Sequence, residues 1–205
     1  MRPEKRRAAI ERAVIALLLL AIGVELLLVL RRREAPGADI PVPDYVTQDF
    51  LPRNPFSRPG TTLQTVDGVV IHYVGNPGTS AAANRSYFAN LALTHETYAS
   101  AHFVVGLEGE IIQCIPLSEI AYCTSQANDH TLSIEVCHPD ETGAFSPETL
   151  DSLTTLTAWL CDAFALETDA IIRHYDVTGK LCPLYYVEHS DSWDALLAAV
   201  DAKRE

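Results

Sequence analysis

From Val66 onward the chain alternates β-branched runs with helix-type apolar stripes, and that alternation over about 140 residues restricts it to a mixed sheet covered by helices. Residues 68–74 (GVVIHYV) read as a buried strand that stops at the turn-rich Gly75-Asn76-Pro77-Gly78. Ser80 caps a helix predicted to reach about Thr94, with Tyr87, Phe88 and Leu91 at helical spacing. Residues 102–105 and 110–115, joined by a Gly-Leu-Glu-Gly turn, read as a hairpin. A further strand is predicted over 132–138 (LSIEVCH) and another over 170–173. Between them lies a helix opened by Ser146-Pro147, with Leu150, Leu153, Leu156, Leu160 and Phe164 on its buried stripe. Trp193, Leu196, Leu197 and Val200 stripe a terminal helix. The fold class expected is α/β, a mixed central sheet flanked by helices.

Two segments precede this body. Residues 13–30 form an eighteen-residue apolar run broken by Gly23 and Glu25, with Arg2, Lys5, Arg6, Arg7 and Arg12 before it and Arg31, Arg32 and Arg33 after it. As a helix the run rises about 27 Å, close to the roughly 30 Å of a bilayer's hydrocarbon core. No small-residue cleavage site follows it. Residues 1–34 are therefore expected to be an uncleaved membrane anchor, a single N-terminal transmembrane helix; the alternatives are a cleaved signal peptide and an amphipathic surface helix, and Glu25 counts against spanning. Residues 35–66 hold six prolines and little periodicity, which predicts an extended linker with an arm folded on near residues 45–56. Residues 67–205 form the folded body itself.

Charge excludes one class of partner. Residues 1–34 carry eight Lys/Arg against four Glu, whereas residues 35–205 carry seven Lys/Arg against twenty-three Asp/Glu. An acidic body with no basic patch repels phosphate backbones, so no nucleic-acid partner is expected. The five cysteines (114, 123, 137, 161, 182) are an odd number without paired CxxC spacing, which fits neither a disulfide scaffold nor a four-cysteine zinc module. Cys114 and Cys123 could bridge in an oxidising compartment, although spacing alone leaves their geometry open.

The chemistry concentrates in His72, at the end of the first strand of the body, and in residues 174–183 (HYDVTGKLCP). Imidazole and thiolate are good zinc ligands, and a catalytic zinc keeps three protein ligands and one open position. The Gly179 turn and Pro183 let the chain double back so that His174 and Cys182 can face one ion together with His72. Taken singly, each of these residues is more often a packed core residue than a ligand. Their coincidence with Lys180, in a body so poor in cations, shifts the balance.

Residues 69–76 (VVIHYVGN), 100–113 (SAHFVVGLEGEIIQ), 133–137 (SIEVC) and 174–183 resemble, in order, the N-acetylmuramoyl-L-alanine amidase type 2 family, which includes phage amidase-type lysozymes and animal peptidoglycan-recognition proteins. The resemblance covers about residues 67–193. A histidine followed six residues on by lysine and eight on by Cys-Pro is its specific element. It implies a peptidoglycan-recognition-protein-like fold, Zn2+ held by His72, His174 and Cys182, and catalytic roles for Glu135 and Lys180. The implied reaction is hydrolysis of the amide between the lactyl group of N-acetylmuramic acid and the L-alanine of the stem peptide. Where some relatives carry tyrosine before the His-Phe pair, this chain has Ala101, which favours a glutamate-lysine form of the site. His102 could line the groove but is at least as readily a packed residue; His95, His130, His138 and His189 read as surface polar residues.

The expected partners are peptidoglycan and, through the N-terminal helix, the membrane; a monomer is expected. Because that substrate lies outside the cell, the implied location is the cell membrane, single-pass with the catalytic domain extracytoplasmic, or secreted if the signal is cleaved. Two rivals remain: a recognition module of the same fold that binds without cutting, and a cysteine peptidase with Cys182 as nucleophile and His174 as base. The first predicts loss of a zinc ligand or of the catalytic pair, and all five residues are present. The second fits poorly with a cysteine followed by proline in a loop.

Overall fold

The computed structural model describes residues 3–31 and 35–204, with side chains for 12–27 and 35–204. The chain divides into two compact units, Met1–Ala35 and Pro36–Glu205. The first is the helix α1 (Pro3–Arg31), whose apolar side chains between Val14 and Leu27 are exposed.

The expected transmembrane helix over residues 13–30 is overturned: among the described residues no helix is long and apolar enough to cross a membrane. Glu25 interrupts the apolar run, and a carboxylate within a bilayer is costly. The single-pass membrane location and the membrane as a partner, both inferred from that run, fall with it. Arg2, Arg32 and Arg33, which flank the run, lie outside the described residues.

The second unit is built on a six-stranded sheet: β1 (Val46–Gln48), β2 (Gly68–Tyr73), β3 (Phe103–Val105), β4 (Ile111–Gln113), β5 (Thr131–Val136) and β6 (Ile171–Arg173), in the order β1-β4-β3-β5-β2-β6. Every pairing is parallel except the β3–β4 hairpin. Because side chains alternate faces along a strand, each strand serves two cores. Val69 and Ile71 of β2, Phe103 and Val105 of β3, and Leu132 and Ile134 of β5 share one core with Leu153, Leu156 and Leu160 of α3 (Pro147–Phe164) and Trp193 and Leu196 of α6 (Ser190–Asp201). On the opposite face Val104, Ile115 and Cys137 pack with Phe88 of α2 (Ala81–Thr94) and with Leu51. Burial on both faces explains why β2 and β5 read as continuous apolar runs.

The helix starts follow the side-chain chemistry. Ser80 accepts from the Ala83 N–H at 3.2 Å to open α2, and Ser146 accepts from the Thr149 N–H at 3.1 Å, with Pro147 following it, to open α3.

The proline-rich stretch is part of the second unit. Its β1 pairs with β4 at the sheet edge, and Leu51 and Leu63 are fully buried. Glu119 fastens it: Arg58 donates from Nε and Nη2 to its two carboxylate oxygens at 2.8 and 2.9 Å, and Arg53 donates from Nη2 at 3.0 Å. The paired guanidinium of Arg58, then that of Arg53, hold the Glu119 carboxyl below its usual range against the opposing effect of burial. Residues 36–66 escape a periodicity argument because the arm buries isolated anchors and makes a single three-residue strand. Leu51→Ala is expected to cost about 2–5 kcal/mol by leaving a cavity under the arm, measured by urea unfolding of the full chain; a change below 1 kcal/mol, on the scale of an exposed-site substitution, would show that the arm is not part of the cooperative unit.

Candidate metal centre

The centre forms at the carboxyl ends of the central strands. His72 is the fifth residue of β2 and stands directly opposite Glu135 in the parallel β2–β5 register. Neither side chain belongs to the α3–α6 core, since both alternate with the residues that do. On the other side of β2, Ile71 is in register with Arg173, so the chain leaving β6 enters α4 (His174–Thr178) with His174 beside His72. Arg173 locks this turn: it donates to both carboxylate oxygens of Asp176 at 3.0 and 2.8 Å, and from Nη1 to the Tyr186 carbonyl at 2.9 Å. Gly179, at φ +78°, ends α4, and the Tyr175 N–H donates to the Cys182 carbonyl at 3.0 Å, which returns the thiol to the histidines. The short α5 (Leu184–Glu188) follows.

The donor atoms of His72, His174 and Cys182 lie within 4.8 Å of one another. All three side chains are buried, the two imidazole centroids are 4.6 Å apart, and Cys182 Sγ is 3.8 Å from His72 Nδ1. His174 Nδ1 is buried without a hydrogen-bond partner. A buried nitrogen left unpaired is costly unless something coordinates it, and two imidazoles with one thiol are the donor set that zinc favours, so these residues fit a metal ion.

The electrostatics favour ligand-ready imidazoles. Burial lowers the pKa of both, most strongly for His72, where the neighbouring His174 and Lys180 add to the effect. Both rings are therefore neutral near pH 7, the form that offers a lone pair. Burial pushes the Cys182 thiol up to about 12, with Glu135 adding to it; a cation at the centre reverses that preference by stabilising the thiolate. Burial likewise carries Glu135 up to about 8. Its Oε1 accepts from Cys123 Sγ at 3.6 Å, while Oε2 is buried and unpartnered. Lys180 is exposed on the loop after α4, and its charge lowers the pKa values of His72, His174, Glu135 and Cys182 alike.

These five residues line one cavity of about 470 Å³ whose lining also includes Tyr98 and Tyr122. A larger, more apolar groove of about 550 Å³ lies against Phe145, Leu150, Tyr185 and Leu196, far poorer in chemistry: its acid, Asp151, is already bound by Lys203 at 2.6 Å.

Sequence reasoning missed Cys123 and Thr124. Asn128 Oδ1 accepts from the N–H groups of both, at 3.1 and 2.7 Å, and so fixes the loop that brings the Cys123 thiol to Glu135 and Thr124 Oγ1 to 2.9 Å from His72 Nε2. The only signal was an asparagine four or five residues downstream, and nothing in the pattern tied it to the centre. Cys114 and Cys123 are both free thiols, the former in the core beneath α2. His138, expected on the surface, is buried: its Nδ1 lies 2.8 Å from the Asp140 carbonyl and its ring 5.0 Å from that of Tyr73, because the strand-end turn folds it inward. His102 is a packed residue. The Ser133 N–H donates to its Nδ1 at 3.0 Å, so the other nitrogen carries the proton and donates to the Glu119 carbonyl at 2.9 Å.

The fold is that of a mixed-sheet α/β protein, and two histidines and one cysteine that could hold a metal ion converge at the ends of its strands. The sequence profile described as N-acetylmuramoyl-L-alanine amidase matches residues 62–184. The chain is 34% identical over 170 residues to the amidase CwlL of Bacillus licheniformis, and 34% identical over 178 residues to the amidase BlyA of Bacillus subtilis strain 168; each alignment covers 77% of this chain and 47% of the relative. The chain thus spans about half the length of the curated relatives it matches. The catalytic domain of XlyA superposes with a TM-score of 0.63 at 26% identity, over 76% of this chain and 98% of that one. The Staphylococcus aureus hydrolase AmiA, solved with its ligand, shares the fold at a TM-score of 0.62 and 18% identity, over 82% and 87%. This chain belongs to the N-acetylmuramoyl-L-alanine amidase family.

The His102 network makes a prediction about stability. Burial lowers the His102 pKa from 6.5 to about 4 against the opposing hydrogen bond to Glu119. Below pH 6.5 the unfolded chain therefore takes up a proton that the native state refuses, and stability falls with pH by up to about 1.4 kcal/mol per unit until His102 itself titrates near pH 4. Urea unfolding of wild type and His102→Gln between pH 7 and 4.5 should show a shallower decline in the variant; parallel curves would mean that His102 does not stay neutral in the fold.

Proposed function

We propose that this chain is a zinc-dependent N-acetylmuramoyl-L-alanine amidase that hydrolyses the amide joining the lactyl group of N-acetylmuramic acid to the L-alanine of the peptidoglycan stem peptide. The observation that carries the reading is the convergence of three metal-type donors within 4.8 Å, beside Glu135, in a chain of this family. The bacterial relatives that it resembles over most of its length are named for the same activity.

His72, His174 and Cys182 would hold the ion. Zinc bound there supplies a water of lowered pKa and a Lewis acid for the amide carbonyl. Glu135 takes the proton from the attacking water and delivers it to the departing alanine nitrogen. Its buried Oε2, which has no partner in the fold, is left to take and return a proton. Lys180, on the open side of the cavity, places its ammonium against the negative charge that develops on the carbonyl oxygen. Burial of the donors keeps bulk water from competing for the reacting groups.

The test is digestion of purified peptidoglycan by the full chain with and without a zinc chelator, with products read by mass spectrometry. Free stem peptides and intact glycan strands are expected, lost on chelation and restored by zinc. Glu135→Ala should lower turnover by about 10²–10⁴-fold with wall binding retained, and Lys180→Ala by about 10²-fold. Tight wall binding without released peptides would instead identify a recognition module of the same fold.

A further inference from the structure

A second set of donors overlaps the first. His72, Cys123 and Glu135 also place one ligand atom each within 4.8 Å of one another. The two sets share His72, whose Nδ1 lies 3.8 Å from Cys182 Sγ and whose Nε2 lies 2.9 Å from Oγ1 of Thr124, the residue after Cys123. Within the second set the thiol and the carboxylate already touch, with Cys123 Sγ 3.6 Å from Glu135 Oε1, and Glu135 Oε2 is buried with no partner in the fold. Both side chains line the cavity that His174, Lys180 and Cys182 line.

We propose that Cys123 and Glu135, beside the shared His72, form a second binding position for a thiophilic divalent cation, and that filling it inhibits the enzyme by occupying Glu135. The inference rests on the reading of His72, His174 and Cys182 as the resident ion's ligands. A thiolate and a carboxylate side by side match the ligand types zinc accepts, and paired ions about 3.5–4 Å apart are common in hydrolase sites. Binding exchanges the Cys123 S–H proton for the metal: the proton leaves to solvent, the S–M bond forms, and no electrons are transferred. The unpartnered Oε2 of Glu135 gains the partner it lacks. A carboxylate held by a cation can no longer accept a proton, so the resident metal sustains turnover whereas the second suppresses it. Zinc is then both requirement and inhibitor, which couples activity to the free metal concentration around the protein.

The probe is zinc alone. Full-length protein is dialysed against a series of buffered free-zinc concentrations; bound zinc is measured by elemental analysis, and turnover on peptidoglycan is read from the same samples. Wild type is expected to bind one equivalent tightly with rising activity, then a second with falling activity. In Cys123→Ser the first equivalent is retained, which also reports that the fold is intact, and the second shifts to at least about tenfold higher zinc together with the loss of turnover. Glu135→Gln should weaken the second equivalent in the same way, read from bound metal alone. A wild type that saturates at one equivalent, or a Cys123→Ser protein whose second equivalent binds as in wild type, overturns the proposal. A wild type that binds two equivalents in the Cys123-dependent manner but releases no peptide at any zinc level would leave the second position standing and remove the amidase reading.

Discussion

The parallel pairing of β2 with β5 is the constraint on which the rest depends. It sets His72 opposite Glu135, and the two-residue period of the strands sends both toward the face that α3 and α6 do not cover. A slip of one residue in this register would turn Glu135 into the apolar core and bring Ile134 or Val136 to the cavity. The register is strongly specified because Val69, Ile71, Leu132 and Ile134, all fully buried, fill the opposite face. The placement of His72 and Glu135 is therefore held by hydrophobic packing on the far side of the sheet.

The third strand of that group, β6, contributes differently. It is three residues long and ends where α4 begins, so the position of His174 depends on the Arg173–Asp176 fork and the Arg173 contact to the Tyr186 carbonyl as much as on the ladder. The Gly179 turn then closes the segment and brings Cys182 under the two rings. A loop that must bend this sharply can carry a ligand accurately only because its two ends are tied, one by β6 and the other by the backbone bond between Tyr175 and Cys182.

Much of this was legible in the residues. The strand over 68–73, the hairpin and the capped starts of α2 and α3 follow from β-branched runs, turn glycines and Ser caps, and they recur in the fold within a residue or two. The trio His72, His174 and Cys182 stood out because few residue types ligate soft metals, and the fold brings them together. What escaped shares a physical cause: it depends on contacts distant in sequence. The arm at residues 36–66 is anchored by Leu51, Leu63 and the Arg58–Glu119 pair, none of which forms a period. Cys123 reaches Glu135 only through the loop that Asn128 organises. His138 looked like a surface residue because it follows a strand, yet the turn after it folds back over Tyr73. The apolar run near the N-terminus suggested a membrane span by its length and basic flanks, and among the described residues no helix is long and apolar enough to cross a membrane.

In the proposed enzyme one ion is held by two imidazoles and one thiolate, from His72, His174 and Cys182. The most direct measurement is X-ray absorption at the zinc edge on full-length protein loaded with a single equivalent of zinc. One sulfur at about 2.3 Å and two nitrogens at about 2.0–2.1 Å are expected, with the remaining scatterer a light atom from solvent. A first shell without sulfur, or with two sulfurs, would contradict that ligand set.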